Sequence, residues 1–352
     1  MSGSDHRAGR RRAREPRFRR PWRGPLAVTV WLLVTLAGLA ATVLPWTQLT
    51  EAAWMPLWVP TWMPQAGAVA ITVSYAFALA ARTGGRPVPW SLLTLVLSVV
   101  AAVTRLPVLL AGAAVCTAVL GALLGVMLTV PVARYWRVVL ECLLAIVVAV
   151  VAGFAAQAYD AHVSAARARY LAMGLALFAA LVLVYRLAAG RHGLGRRGWF
   201  VVLGGIGVLA LSLAYSEALT HWGSPEMVKG IQRSTSDVRS VLHAVPRPTE
   251  FLLGFPALAW GVSTRARRRQ GWWGCGFGAV ALALTAASLL DPRLALQEAG
   301  LSVGYSLLIG LVLGFLLVRV DGFFSGTRGR RARRAEEAAA HRPEPGRLHA
   351  LM

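Results

Sequence analysis

The chain has 352 residues, of which 57% are hydrophobic and only 15% charged, and its formal net charge is +22. A soluble globular chain carries about 25% charged residues, so this composition excludes a water-soluble core. Spans of about 20 residues each also leave no room for an appended nucleotide-binding or kinase domain.

The fold this predicts is all-α, a polytopic integral membrane helix bundle of about ten transmembrane spans. Residues 1–25 form a basic cytoplasmic tail led by Arg10, Arg11, Arg12, Arg19 and Arg20. The membrane domain is expected over 26–320, with apolar runs at 26–44, 66–81, 90–104, 106–130, 138–158, 170–188, 199–216, 250–263, 272–290 and 299–320. The first run is read as a retained anchor, because no A-x-A cleavage pattern precedes Pro45. The stretch 90–130 is about twice one crossing and must fold back, with Arg105 and Pro107 marking a hairpin at 104–107. The run at 250–263 is short and contains Pro256, which predicts a kinked or partly re-entrant segment. Residues 321–352 read as a basic, disordered cytoplasmic tail.

Charge sets the expected orientation. With the N-terminus inside, 29 of the 37 basic residues fall in cytoplasmic segments, as the positive-inside rule requires for an N-in, C-in chain with an even number of spans. Only one of the 37 is Lys, a compositional sign of a G+C-rich bacterial genome. The expected location is therefore the bacterial cytoplasmic (inner) membrane, with anionic lipid headgroups as partners at the cytoplasmic face. A membrane or envelope protein is a further expected partner, and nucleic acid is not.

Few positions point to chemistry. The first outside loop repeats a tetrad, Trp54 to Leu57, Trp58 to Thr61 and Trp62 to Gln65, each with Pro in third place. Proline at that spacing excludes a helix interior, so the loop reads as turns displaying tryptophans at the outer interface. Glu51 is its only carboxylate. No G-x-S-G, H-E-x-x-H or Walker pattern occurs. Cys116, Cys142 and Cys275 stand singly in apolar runs, so neither a metal nor a cofactor is expected.

Glu141 is expected about four residues, or ~6 Å, inside the fifth span. Arg134 and Arg137 lie within about 40° of its azimuth, which predicts an intramembrane ion pair. Outside, Ser224-Pro225-Glu226 is a helix start, with a capping hydroxyl, a first-turn proline and an acid. It opens an amphipathic helix over about 225–245.

Two pentads, Ser212 to Ser216 and Ser302 to Ser306, sit near the outer ends of antiparallel spans. In each, the first Ser, the Tyr and the last Ser share a helix face. Ser212, Tyr215, Ser216, Ser302, Tyr305 and Ser306 are thus expected to form a ligand-binding cluster in the outer leaflet, next to Glu217. The function this predicts is a non-enzymatic permease-like or envelope-assembly component. Its alternative is a membrane-embedded transferase using a lipid-linked envelope substrate, with Glu51 or Glu217 as acid or base.

Overall fold

The computed structural model describes residues 25–46, 60–189, 196–222, 225–266, 271–291, 295–325 and 344–351, with no strand among them. The helices are α1 (Pro25–Val43), α2 (Met63–Arg82), α3 (Pro87–Thr104), α4 (Pro107–Leu128), α5 (Tyr135–Ala158) and α6 (Ala165–Val184). They continue as α7 (Arg196–Trp222), α8 (Pro225–Leu242), α9 (Phe255–Arg265), α10 (Gly271–Ser288) and α11 (Leu296–Ser325). A π-helical turn, Tyr185–Ala189, extends α6, and a second, Thr249–Gly254, leads straight into α9.

Seven helices, α1 to α6 and α11, are long and apolar enough to cross a membrane, which marks the chain as a multi-pass membrane protein. The three other apolar runs fall on α7, on the π segment with α9, and on α10. Among these α9 has only 11 residues, too few for a crossing of about 20.

Prolines set the helix starts. Pro64, Pro87 and Pro107 lie in the first turns of α2, α3 and α4, where a missing N–H breaks no helical bond. The third tryptophan tetrad, expected in the outside loop, is therefore the opening of α2, with Trp62 as its N-cap. Arg105, left-handed at φ 51°, closes the turn between α3 and α4.

The core is built around α10, where every residue except Leu284 is buried. A helix enclosed on all sides must be apolar all round, and α4, α5, α6 and α9 surround this one. Glycine allows the close approaches. A Cβ on Gly121 would lie 2.2 Å from Ala152 Cβ, and one on Gly278 would lie 2.8 Å from Leu258 Cβ. By contrast α3 buries only Ser98 and Ala101 and presents the rest of its surface outward.

Two expectations about the ends change. Helix α11 runs five residues past the anticipated boundary at 320, to Ser325. Residues 344–351, expected as disordered tail, are packed against the bundle. The Leu351 amide donates to the Arg82 carbonyl at 2.8 Å, and Leu351 joins the main hydrophobic cluster.

Candidate functional site

At the end of the bundle near α8, three hydroxyls of α11 face one loop. Residues 302, 305 and 306 share a helical face, and all three bind the end of α8 or the connection that follows it. Ser302 donates to the Val245 carbonyl at 2.6 Å and Tyr305 to the Leu242 carbonyl at 3.2 Å. The Arg247 amide donates to Ser306 Oγ at 2.8 Å. Helix α8 is also tied down by Arg239, 3.1 Å from Glu298 of α11. Its Val238, Val241 and Leu242 remain exposed, which fits an interfacial amphipathic helix.

Beneath this loop lies Glu250, 0% exposed, in the π segment. Pro256 has no N–H for the carbonyl four residues back and crowds the preceding turn. The widened π turn takes up that conflict, and such turns are frequent at functional sites. Arg247 NH1 donates to Glu250 Oε1 at 2.9 Å, while Oε2 is buried with no partner among the described residues. Arg169 of α6 is a second cation within electrostatic reach, and Ser306 faces the carboxylate. An enclosed acid with one oxygen paired and the other open is equipped to hold a proton or to receive a donor group from a ligand.

Helix α7 packs on α10 and on the π segment, and α11 packs on α9 and the same π segment. The helices that carry the two pentads thus share Glu250's segment as a common neighbour. The side chains of Ser212, Tyr215, Ser216 and Glu217, and all of Glu51, lie outside the described residues. The hydroxyls of Ser302, Tyr305 and Ser306 hold the loop rather than standing open. In the sequence Glu250 heads the apolar run 250–263 and is not among the candidate site residues. The signal that would have found it is Arg247 and Glu250 at i, i+3 directly before an apolar run.

At the opposite end the charges meet differently from expectation. Glu141 is 8% exposed; its Oε1 accepts from Arg347 at 2.6 Å and its Oε2 from the Val130 amide at 3.0 Å. Arg137 instead lies over the Trp136 ring at 5.2 Å, and Arg134 is the backbone N-cap of α5. The reason is reach: Arg347 approaches from the bundle side of α5, where the carboxylate is enclosed. The Arg347 side chain is 38% exposed, so the pair is partly screened. Glu141→Gln is therefore expected to lower stability by about 1 kcal/mol without abolishing activity. Thermal unfolding in detergent beside an activity readout checks this, and a fully stable but inactive variant would contradict it.

Among the described residues no group of three His, Cys, Asp or Glu side chains is placed to hold a metal ion. No protein-family model, curated protein or solved structure matches this chain.

Proposed function

We propose that the protein is a permease-like or envelope-assembly component of the bacterial cytoplasmic membrane that takes its ligand from the outer leaflet at Glu250, beneath α8. The observation that carries this reading is the fully enclosed Glu250 carboxylate, one oxygen of which has no hydrogen-bond partner among the described residues. An acid in that setting is costly and marks a ligand or proton pathway. The neighbouring loop meets α11 through the Ser302 and Ser306 hydroxyls and pairs with Glu250 itself through Arg247, polar contacts that a ligand carrying its own donors can exchange.

The topology proposed is ten crossings with both ends inside. Its support is that Arg82, Thr129, Glu141, Arg265 and residues 344–351 meet at one end of the bundle. Between successive members of that set the chain makes an even number of crossings if α7, the π segment with α9, and α10 each cross and α8 does not. The π segment and α9 together have 17 residues, or about 25 Å of helix, against a hydrocarbon core of about 30 Å.

Two measurements test the proposal. A Ser236→Cys variant is expected to react with a membrane-impermeant maleimide in intact cells, whereas Ala350→Cys reacts only after lysis; the reverse pattern would invert the orientation. For function, the parent in proteoliposomes is expected to accumulate a solute from a mixed-metabolite extract, and Glu250→Gln to lose that uptake at an unchanged unfolding temperature. Equal uptake by both proteins removes Glu250 from the mechanism. Chemical change of an added polyprenyl-linked lipid, without uptake, would point to a transferase instead.

A further inference from the structure

Two buried guanidinium groups meet where α2, α4 and α9 end. Arg82 is 3% exposed; its Nε donates to the Met127 carbonyl at 2.9 Å and its NH1 to the carbonyls of Gly346, at 2.8 Å, and His349. Its NH2 is buried and has no partner, and no carboxylate contacts the group, among the described residues. The Arg265 side chain is 0% exposed. It donates to the Thr129 hydroxyl at 2.7 Å and the Thr129 carbonyl at 3.0 Å, and its guanidinium lies 3.5 Å from the centre of the Trp272 ring. Its one carboxylate is Glu344, at 2.5 Å.

The two cations are thus held by helices, while the single anion that answers them among the described residues arrives on a separate short segment. Helix residues that enclose positive charge without a matching helix carboxylate form a receptor for an anion, because an enclosed unpaired charge is costly. What Glu344–Leu351 supplies is one carboxylate and two main-chain oxygens. Carbonyls are neutral acceptors, and they leave Arg82 NH2 unanswered. An oxyanion with three or more oxygens would satisfy both forks at once, which is the geometry guanidinium groups favour.

We propose that this cleft is a binding site for a phosphate- or carboxylate-bearing ligand, and that Glu344–Leu351 occupies it as a tethered competitor. A cavity of about 560 Å³ opens beside the segment, with Trp31, Trp136, Arg137 and Glu141 in its lining. Arg347 and Leu348 line both that cavity and the smaller space against Arg82. The segment thus stands between an open, largely apolar, tryptophan-flanked cavity and the buried Arg82. When it leaves, Arg347 releases Glu141 and the route to Arg82 is clear. A tether gives the segment an effective concentration on the order of millimolar, so a free ligand displaces it only when it binds better or is abundant. The proposal does not depend on the reading of Glu250.

The test uses the full chain with exposed Cys116 replaced by Ala and spin labels at Arg86→Cys and Ala350→Cys, in nanodiscs of zwitterionic lipid. The parent is expected to give one narrow distance. Added inorganic phosphate should convert it to a broad distribution, and chloride at equal ionic strength should not. In Glu344→Gln the phosphate needed for half conversion is expected to fall about tenfold, the loss of ~1.4 kcal/mol of segment affinity, while Arg82→Gln loses the phosphate response. If phosphate is silent but nanodiscs of anionic lipid release the segment, the ligand is a lipid headgroup and the site stands. If neither anion source moves the distribution while Glu344→Gln alone broadens it, the segment is a structural latch and the site does not exist.

Discussion

Arg265→Met is expected to lower the unfolding free energy by about 3–5 kcal/mol, the cost typical of breaking an enclosed ion pair. The guanidinium joins three elements through Thr129, Trp272 and Glu344, and methionine retains only the apolar part of the ring contact. Glu344 is 19% exposed, so it returns to water when its segment detaches, which places the loss toward the lower end of that range. Arg265→Lys keeps the charge but not the planar fork, and it should fall between parent and Met. Arg137→Met serves as the comparison, because its stacking on Trp136 at 5.2 Å is worth only about 0.5–1 kcal/mol. Reversible unfolding in mixed micelles measures all four proteins. Equal stability of the Arg265 and Arg137 variants would remove Arg265 from its place as the joint of that end.

Gly121→Ala is the second large effect. The added Cβ would stand 2.2 Å from Ala152 Cβ, and neither that atom nor the backbone behind it can rotate away. Helices α4 and α5 must separate, and α10, which packs on both, must follow. Overpacking of this kind costs about 1–3 kcal/mol and occasionally more; contact between three core helices puts Gly121→Ala at the upper end. Gly300→Ala is the counterpart, since nothing lies within 4 Å of its would-be Cβ. There alanine removes backbone freedom from the unfolded chain and should stabilise by up to about 1 kcal/mol. The same unfolding assay separates the two, and a neutral Gly121→Ala would contradict the α4–α5 packing.

The contrast between these glycines shows what the sequence could convey. Gly121/Gly125, Gly274/Gly278, Gly300/Gly304 and Gly310/Gly314 all have the spacing of four that suits close helix packing. Three of the pairs do meet another helix, but both members of the Gly300/Gly304 pair face open space. Spacing reports which residues share a face, and the partner across that face is a tertiary fact. Helix ends were more legible, because proline acts locally: Pro87, Pro107 and Pro225 each open a helix.

The buried charges were the least legible part. Hydropathy treats an acid at the edge of an apolar run as water-facing, so Glu250 at the head of the run 250–263 gave no sign that it is enclosed in the π segment before Pro256. Glu141 was assigned neighbours on its own helix, whereas its partner lies 206 positions away. Arg265 likewise pairs across 79 positions, a distance over which no periodicity operates. The reading of 321–352 as featureless followed from its many arginines. Within it Pro345, Gly346, Leu348 and Leu351 are the turn and apolar residues of the segment that docks.

The bond from Arg82 to the Gly346 carbonyl spans 264 positions, and this separation sets a schedule during synthesis. At about 5–20 residues per second, roughly 13–50 s elapse between the emergence of α2 from the ribosome and that of the segment that completes the Arg82 end of that helix. Through that interval Arg82 already sits at the membrane boundary, and its long side chain can reach only headgroups or water. Closure of this end is thus ordered after insertion of the later helices, and a ribosome that stalls within α11 leaves a bundle that is inserted but still open on that side.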